Sequence, residues 1–389
     1  MQLRRFRLAL TCHKLGRMKR SNIARILLVV MAVASLSTFA ADRWPEEKAN
    51  AWYASRPWLV GANFIPSTAI NQLEMWQADT FDLPTIEREL EWAHQLGFTS
   101  IRVFLHHLLW EQDSKGFLQR MDMFLAVADK HGIGVMFVPF DSCWDPFPKL
   151  GKQHDPIPHR HNSGWVQSPG ADDLKNPARL ALLEAYIKGV VGHFKDDKRI
   201  DLWDIYNEPD NNNGSSYGSQ ELKNKLDLTL ALIQKEITWF REINPSQPIT
   251  SAPWLGNWGD PARLSAMEKI QLDNSDVISF HSYGKLEDVK KCVDNLRRYN
   301  RPIICSEYMA RPQGSTFDPN LGYFKEQKVG AYNWGFVSGK TQTIYPWDSW
   351  QKKYTAEPPV WFHDIFRADG TAYRPEEVAY IKKITAKAE

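Results

Sequence analysis

From position 58 onward the hydrophobic and polar positions of the chain alternate between two rhythms. Short runs dense in Val, Ile, Phe, Tyr and Trp are separated by longer stretches with the spacing of amphipathic helices. Eight short runs predict strands at 59–64, 100–105, 134–140, 202–206, 248–252, 277–281, 303–307 and 331–336. The helical stretches carry readable ends: Asp82 then Pro84 opens one that Gly97 closes, Asn176-Pro177 opens another, and His131-Gly132 closes a segment at 117–130. Further helices are expected at 222–243, 260–270, 286–299, 320–328 and 375–387. Eight such alternations imply parallel strands and point to an α/β fold, a single (β/α)8 TIM barrel. An open doubly wound sheet would bring a GxGxxG turn after its first strand, and none is present.

The connections are unequal. Loops that follow strands are long and those that precede strands are short; the longest, 141–175 and 338–374, follow the third and eighth strands. The second of these holds Trp347, Trp350, Tyr354 and Trp361. In a barrel both rise at the C-terminal rim of the strands, where functional sites are built. No repeat or linker interrupts the pattern, so residues 41–389 are expected to form one catalytic domain with a short lead-in at 42–56.

Two strand ends carry candidate chemistry. In Trp203-Asp204-Ile205-Tyr206-Asn207-Glu208-Pro209 a strand ends in Asn-Glu, and the following proline cannot continue it. In Ile303-Ile304-Cys305-Ser306-Glu307-Tyr308 a second glutamate ends a strand three further round the ring. Two carboxyls facing each other across a barrel mouth suit cleavage of a glycosidic bond with retention. One protonates the departing oxygen while the other, about 5–5.5 Å away, attacks the anomeric carbon. Other strand ends fit this reading. His281 and Tyr283 share a face, so the tyrosine hydroxyl could donate to Glu307; Arg102 and His106 share a face of the second strand, where Arg102 is either a support for the nucleophile or a structural ion-pair partner.

Asn207-Glu208-Pro209, Glu307, His281-Ser282-Tyr283 and Asn333-Trp334-Gly335 resemble the active-site strands of glycoside hydrolase family 5 and its relatives in clan A, over about 58–336. The resemblance implies Glu208 as acid/base, Glu307 as nucleophile, Asn207 as the contact to the sugar 2-hydroxyl and Trp334 as the platform under the cleaved sugar. The third strand departs from the family pattern, which often places a histidine there; this chain offers Asp141 and Trp144. Asp141 either binds sugar hydroxyls or caps its loop, and Trp254 is either a further stacking surface or packing.

Composition agrees with a polysaccharide or oligosaccharide as partner. Lys plus Arg number 48 against 46 Asp plus Glu, a net charge of +2 that gives no field for nucleic acid. The 16 tryptophans exceed what a core of this size needs and suit stacking on sugar rings. His154, His159 and His161 cluster near Asp155 without an ordered ligand spacing, so no metal is expected, and the reaction calls for no cofactor. A monomer is expected. Lys19, Arg20 and Arg25 precede an apolar run at 26–36 and small residues to Ala40, the pattern of a signal peptide over 1–40 in an exported (periplasmic or extracellular) protein; a start at Met18 would give a shorter basic region. The run is too short to span a membrane. Once Cys12 is removed three cysteines remain, and Cys292 with Cys305 either form a bridge or lie buried as small hydrophobes. Rival readings are a transglycosidase, a carbohydrate-binding protein without activity, and an interaction protein displaying tryptophan on helix faces.

Overall fold

The computed structural model describes residues 42–256 and 258–386. The expected signal peptide lies outside the described residues. Eight parallel strands appear in chain order: β1 Val60–Asn63, β2 Ser100–Phe104, β3 Gly134–Val138, β4 Ile200–Asp204, β5 Ile249–Thr250, β6 Ile278–His281, β7 Ile303–Tyr308 and β8 Gly330–Asn333. Each pairs with its sequence neighbours except β5 with β6, and β8 returns to β1, with Val60 opposite Ala331. The β5–β6 seam closes through other bonds. Asp276 N donates to Ile249 O at 2.8 Å, Ile249 N donates back to Asp276 Oδ2 at 3.0 Å, and Thr250 Oγ1 meets Ser279 Oγ at 2.6 Å. The result is the (β/α)8 barrel that the alternation predicts.

Side-chain alternation sorts the two faces of the ring. On β2 and β3, Ile101, Val103, Val135 and Phe137 face outward and join Leu90, Phe124 and Tyr186 of the surrounding helices in one buried cluster. Each such side chain contributes about 1.5–3 kcal/mol of burial. At the N-terminal end Leu59, Met136, Leu202, Val277, Ile304 and Tyr332 form a second cluster, and Trp52 and Tyr53 pack against it. These two aromatics belong to a helix, Glu46–Ala54, where only a lead-in is expected from sequence. Gly61 permits the close approach of β1 to β2, since a Cβ there would lie 1.6 Å from Ser100 O.

The helix after β2 runs from His107 to Lys130 with a kink at Asp113, beginning ten residues before the expected 117. The expected 260–270 helix is a short 3-10 turn followed by Ala266–Asn274, which Ser265 and Glu268 cap reciprocally. Cys143, Cys292 and Cys305 are all free thiols, Cys143 and Cys305 buried. No helix among the described residues is long and apolar enough to cross a membrane.

Candidate active site

The ends of β4 and β7 place Glu208 and Glu307 side by side. One carboxylate oxygen of each, with a ring nitrogen of His281, lie within 4.8 Å of one another, and all three residues are buried. Past β4, Tyr206–Asn207 pairs with Phe140–Asp141 in a two-residue extension of the sheet. Glu208 then turns sharply, with φ of 43°, and aims its carboxyl inward.

The two carboxyls sit in different surroundings. Glu307 Oε1 accepts from Arg102 Nη1 and Oε2 from the Tyr283 hydroxyl, each at 2.7 Å. Glu208 receives neutral donors: Asn211 Nδ2 at 2.7 Å and the Cys143 thiol at 3.2 Å on Oε2, with His281 Nδ1 2.8 Å from Oε1. Burial raises the pKa of both above the ordinary carboxyl range. At Glu208 the Asn211 and Cys143 donors, then the Arg102 and Lys225 charges, offset part of that rise. At Glu307 the His281 imidazole, the Arg102 charge and the Tyr283 hydroxyl oppose burial, while Glu208 adds to it. Burial brings His281 down to about 4, so the ring is neutral near pH 7, and its Nε2 is buried without a hydrogen-bond partner.

Arg102 organises this floor. Besides Glu307, it donates through Nε to Asp204 at 2.9 Å, through Nη1 to Asn63 Oδ1 and through Nη2 to Asn207 Oδ1, both at 2.7 Å. Burial lowers its pKa, but Asp204 and Glu307 outweigh that and raise it, so the guanidinium stays charged. Asn207 Nδ2 in turn donates to Asp141 Oδ1 at 2.9 Å. The cleft above, about 340 Å³, is lined by Asn207, Glu208, Glu307, Tyr283, Trp144, Trp254 and Trp334 among others.

Four residues grouped from sequence with the substrate-binding set, Arg102, His106, Asp141 and His281, are not among those that line the cleft. Arg102 is wholly buried beneath it, where it bonds both Glu307 and the structural carboxylate of Asp204. His106 is wholly buried because the chain leaves β2 at Phe104 and His106 becomes the cap of the next helix. Its Nδ1 accepts from Leu108 N and its Nε2 donates to Gln167 O. Asp141 is wholly buried too, and between Trp165 Nε1 at 2.6 Å, Cys143 N and Asn207 its oxygens are occupied; burial pushes its pKa up to about 6. His281 meets Glu208 instead, a contact that the sequence reading does not assign. Asn211, Cys143 and Trp347 are lining residues that the sequence reading leaves out of the site; they lie in loops where no period fixes which way a side chain faces.

The histidines of the β3 loop make separate contacts. His154 meets Asp155 O, His159 meets the Tyr345 hydroxyl and His161 meets Tyr345 O. Among the described residues, only Glu208, His281 and Glu307 gather donors closely enough to hold a cation. There Arg102 and Tyr283 already engage both oxygens of Glu307.

The barrel is the fold of solved glycoside hydrolases of family 5, which the chain resembles. It superposes on a β-1,4-D-mannanase from Cryptopygus antarcticus with a TM-score of 0.56 at 10% identity, covering 86% of this chain and 92% of that one. An exo-β-1,4-mannosidase from an Opitutaceae bacterium gives 0.54 at 17% identity over 84% and 58%. GH5_18 from Streptomyces cattleya gives 0.53 at 12% over 85% and 80%. In sequence, the chain is similar to a probable mannan endo-1,4-beta-mannosidase F from Aspergillus flavus, 30% identical over 95 residues. That stretch is 24% of this chain and 18% of the relative, and the chain matches about a fifth of the length of the curated relatives. No family model matches the sequence.

Proposed function

We propose that the protein is an O-glycosyl hydrolase that cleaves a β-linked glycan with retention, and that β-1,4-mannan chains are its substrate class. The carrying observation is the separation of the two buried glutamates, whose nearest oxygens are within 4.8 Å. Retaining enzymes hold their carboxyls about 5–5.5 Å apart, whereas inverting ones leave about 6.5–9.5 Å for a water. The likeness to mannan-cleaving relatives supports the choice of glycan.

The roles follow from the surroundings. Glu307 touches the only charged donor of the pair, so the first proton to leave the pair leaves Glu307 and its carboxylate is the nucleophile. Glu208, held by neutral donors in a buried site, keeps its proton and is the acid. As the Glu307 oxygen bonds the anomeric carbon, the bond to the leaving oxygen breaks and Glu208 protonates that oxygen. Glu208, now ionised, takes a proton from water. The water oxygen bonds the same carbon and the ester to Glu307 breaks. Asn207 spends its carbonyl on Arg102, one N–H on Asp141 and the other on a long 3.5 Å contact to the Cys143 sulfur, the weak contact that a sugar hydroxyl would displace. Trp334, packed edge-on against Phe104 and Trp165, offers the sugar a fixed apolar face. Export is part of the same reading, since a polymer of this class lies outside the cell and the chain carries the basic and apolar pattern before Ala41.

Aryl β-mannosides and β-glucosides test this. Glu307→Ala and Glu208→Ala are each expected to lower turnover about 10³-fold or more. Azide should restore Glu208→Ala, giving a β-configured glycosyl azide from an activated substrate. Proton NMR of the first product should show the β-anomer; an α-anomer, or full activity in either variant, would exclude the assignment.

A further inference from the structure

The cleft is not evenly open around the rim. Its lining comes from segments following β3 to β8, and none follows β1 or β2. The cause is a strap. The loop after β8 crosses to the loops after β3 and β4: Asn162 N donates to Thr341 O at 2.8 Å, His161 N to Ser349 Oγ at 3.0 Å and Trp350 Nε1 to His161 O at 2.8 Å. The Gln351 amide reaches Ser215 O. Trp350 is the junction: it stacks on Trp144 at 5.7 Å and 23°, with Tyr217 edge-on at 5.0 Å and the Arg160 guanidinium 4.9 Å from its ring. Asn63, Ile65 and Phe104, at the ends of β1 and β2, line a separate small void with Thr341.

The strap is anchored at both ends. Arg311 holds the returning chain through the carbonyls of Trp361, His363 and Asp364 and pairs with Glu377, while Thr343 donates to Asp364. On the other side Glu221 joins Lys225, Gln167 and Asn213, tying the β4 loop to the β3 loop.

The glutamates give the wall a direction. The sugar whose bond is cut lies over Glu307, and the leaving portion lies toward Glu208, which must protonate it. Trp347 of the strap stands edge-on to Tyr283 at 5.0 Å, and Tyr283 touches Glu307, so the wall is on the side of the cut sugar. Beyond Glu208 lie Asn211, Trp254 and the exposed Leu255, with Trp254 held by Asp210 at 2.7 Å.

We infer that this cleft accepts one sugar on the glycone side and works from the non-reducing end of a β-linked chain, releasing a single sugar at each cycle. The inference rests on the hydrolase reading proposed above. The strap sets the specificity: a longer glycone would have to pass through Trp347 and Trp350.

Wild-type protein incubated with β-1,4-mannopentaose and cellopentaose labelled at the reducing end separates the possibilities. Expected are labelled products shortened one sugar at a time, with one free monosaccharide per step. Short labelled fragments at the earliest times, without matching monosaccharide, would overturn the chain-end inference and leave hydrolysis standing. No product from either chain or from aryl glycosides would overturn the hydrolase reading itself, and this inference with it. In Trp350→Ala the fraction of internal cuts should rise several-fold while aryl mannoside turnover persists; an unchanged product pattern in that folded variant would overturn the role of the strap.

Discussion

At the N-terminal rim, Asp201 accepts from Ser100 Oγ at 2.6 Å and pairs with Arg56, and Tyr332 OH donates to Ser100 at 2.8 Å. At the C-terminal rim, Glu307 accepts from Arg102 and Tyr283. Ser100 and Arg102 are two residues apart on β2, so one strand face supplies a carboxylate partner to each end of the barrel. Only the surroundings differ. Below, Trp52 and Tyr53 pack over the strand ends, and Ser100 and Asp201 are buried with only Arg56 reaching solvent. Above, the corresponding carboxyl opens into a cleft of about 340 Å³. A buried carboxylate with an arginine and a hydroxyl therefore has no fixed meaning. Sealed, it locks elements together; uncovered beside a second carboxyl, it can do chemistry.

Removing the centre of the upper cluster should have the largest effect. Arg102→Ala leaves Asp204 and Glu307 without their counter-charge, a cost of about 3–5 kcal/mol for a broken buried pair. With the guanidinium gone the Glu307 pKa rises further, so the acidic limb of kcat/KM should move to higher pH along with the fall in rate. Thermal unfolding and a pH profile check both; a stable variant with an unshifted profile would break the comparison.

At the lower rim the effect should be on stability alone. Burial lifts Asp201 from an ordinary 3.8 to about 6, with Arg56 and Ser100 opposing, so the folded state holds this proton more tightly than the unfolded chain. The associated stability is present below pH 3.8 and is lost as pH rises through about 6. Asp201→Asn should flatten the decline in urea midpoint across that window and leave turnover per folded molecule unchanged. A rate loss there would mean that the two rims are not separable.

The smallest expected change sharpens the contrast between the glutamates. Asn211 favours the ionised form of Glu208, so Asn211→Leu should raise the Glu208 pKa and carry the alkaline limb of kcat/KM upward, with the acidic limb fixed. Movement of the acidic limb instead would reverse the roles assigned to the pair.

The barrel and its glutamates were legible because both rest on short-range order. A strand's period fixes which face a side chain takes, and Pro209 marks where β4 stops. The same logic turned the Tyr283 hydroxyl toward Glu307 and put His281 on the same face, without pairing it with Glu208. It failed where the chain leaves the period. His106 lies beyond the end of β2 and turns away to cap a helix; Asp141 lies on an extra rung beside Asn207 and positions that amide. The lead-in helix escaped notice because its two useful aromatics, Trp52 and Tyr53, are adjacent, plugging the barrel end-on instead of forming a lateral stripe. Trp347 and Trp350 stood out as a rich loop, but that the loop crosses the rim is a fact of tertiary structure.

Glu208 itself sits in a left-handed backbone turn, a conformation in which a side chain is uncomfortable and glycine or asparagine is at ease. Folding by itself would prefer either of those residues here. The carboxyl is thus kept at a point of the rim where conformational preference argues against it, as it also does at Trp144 and Met309, and the surrounding scaffold has to hold that tension for as long as the molecule stays native.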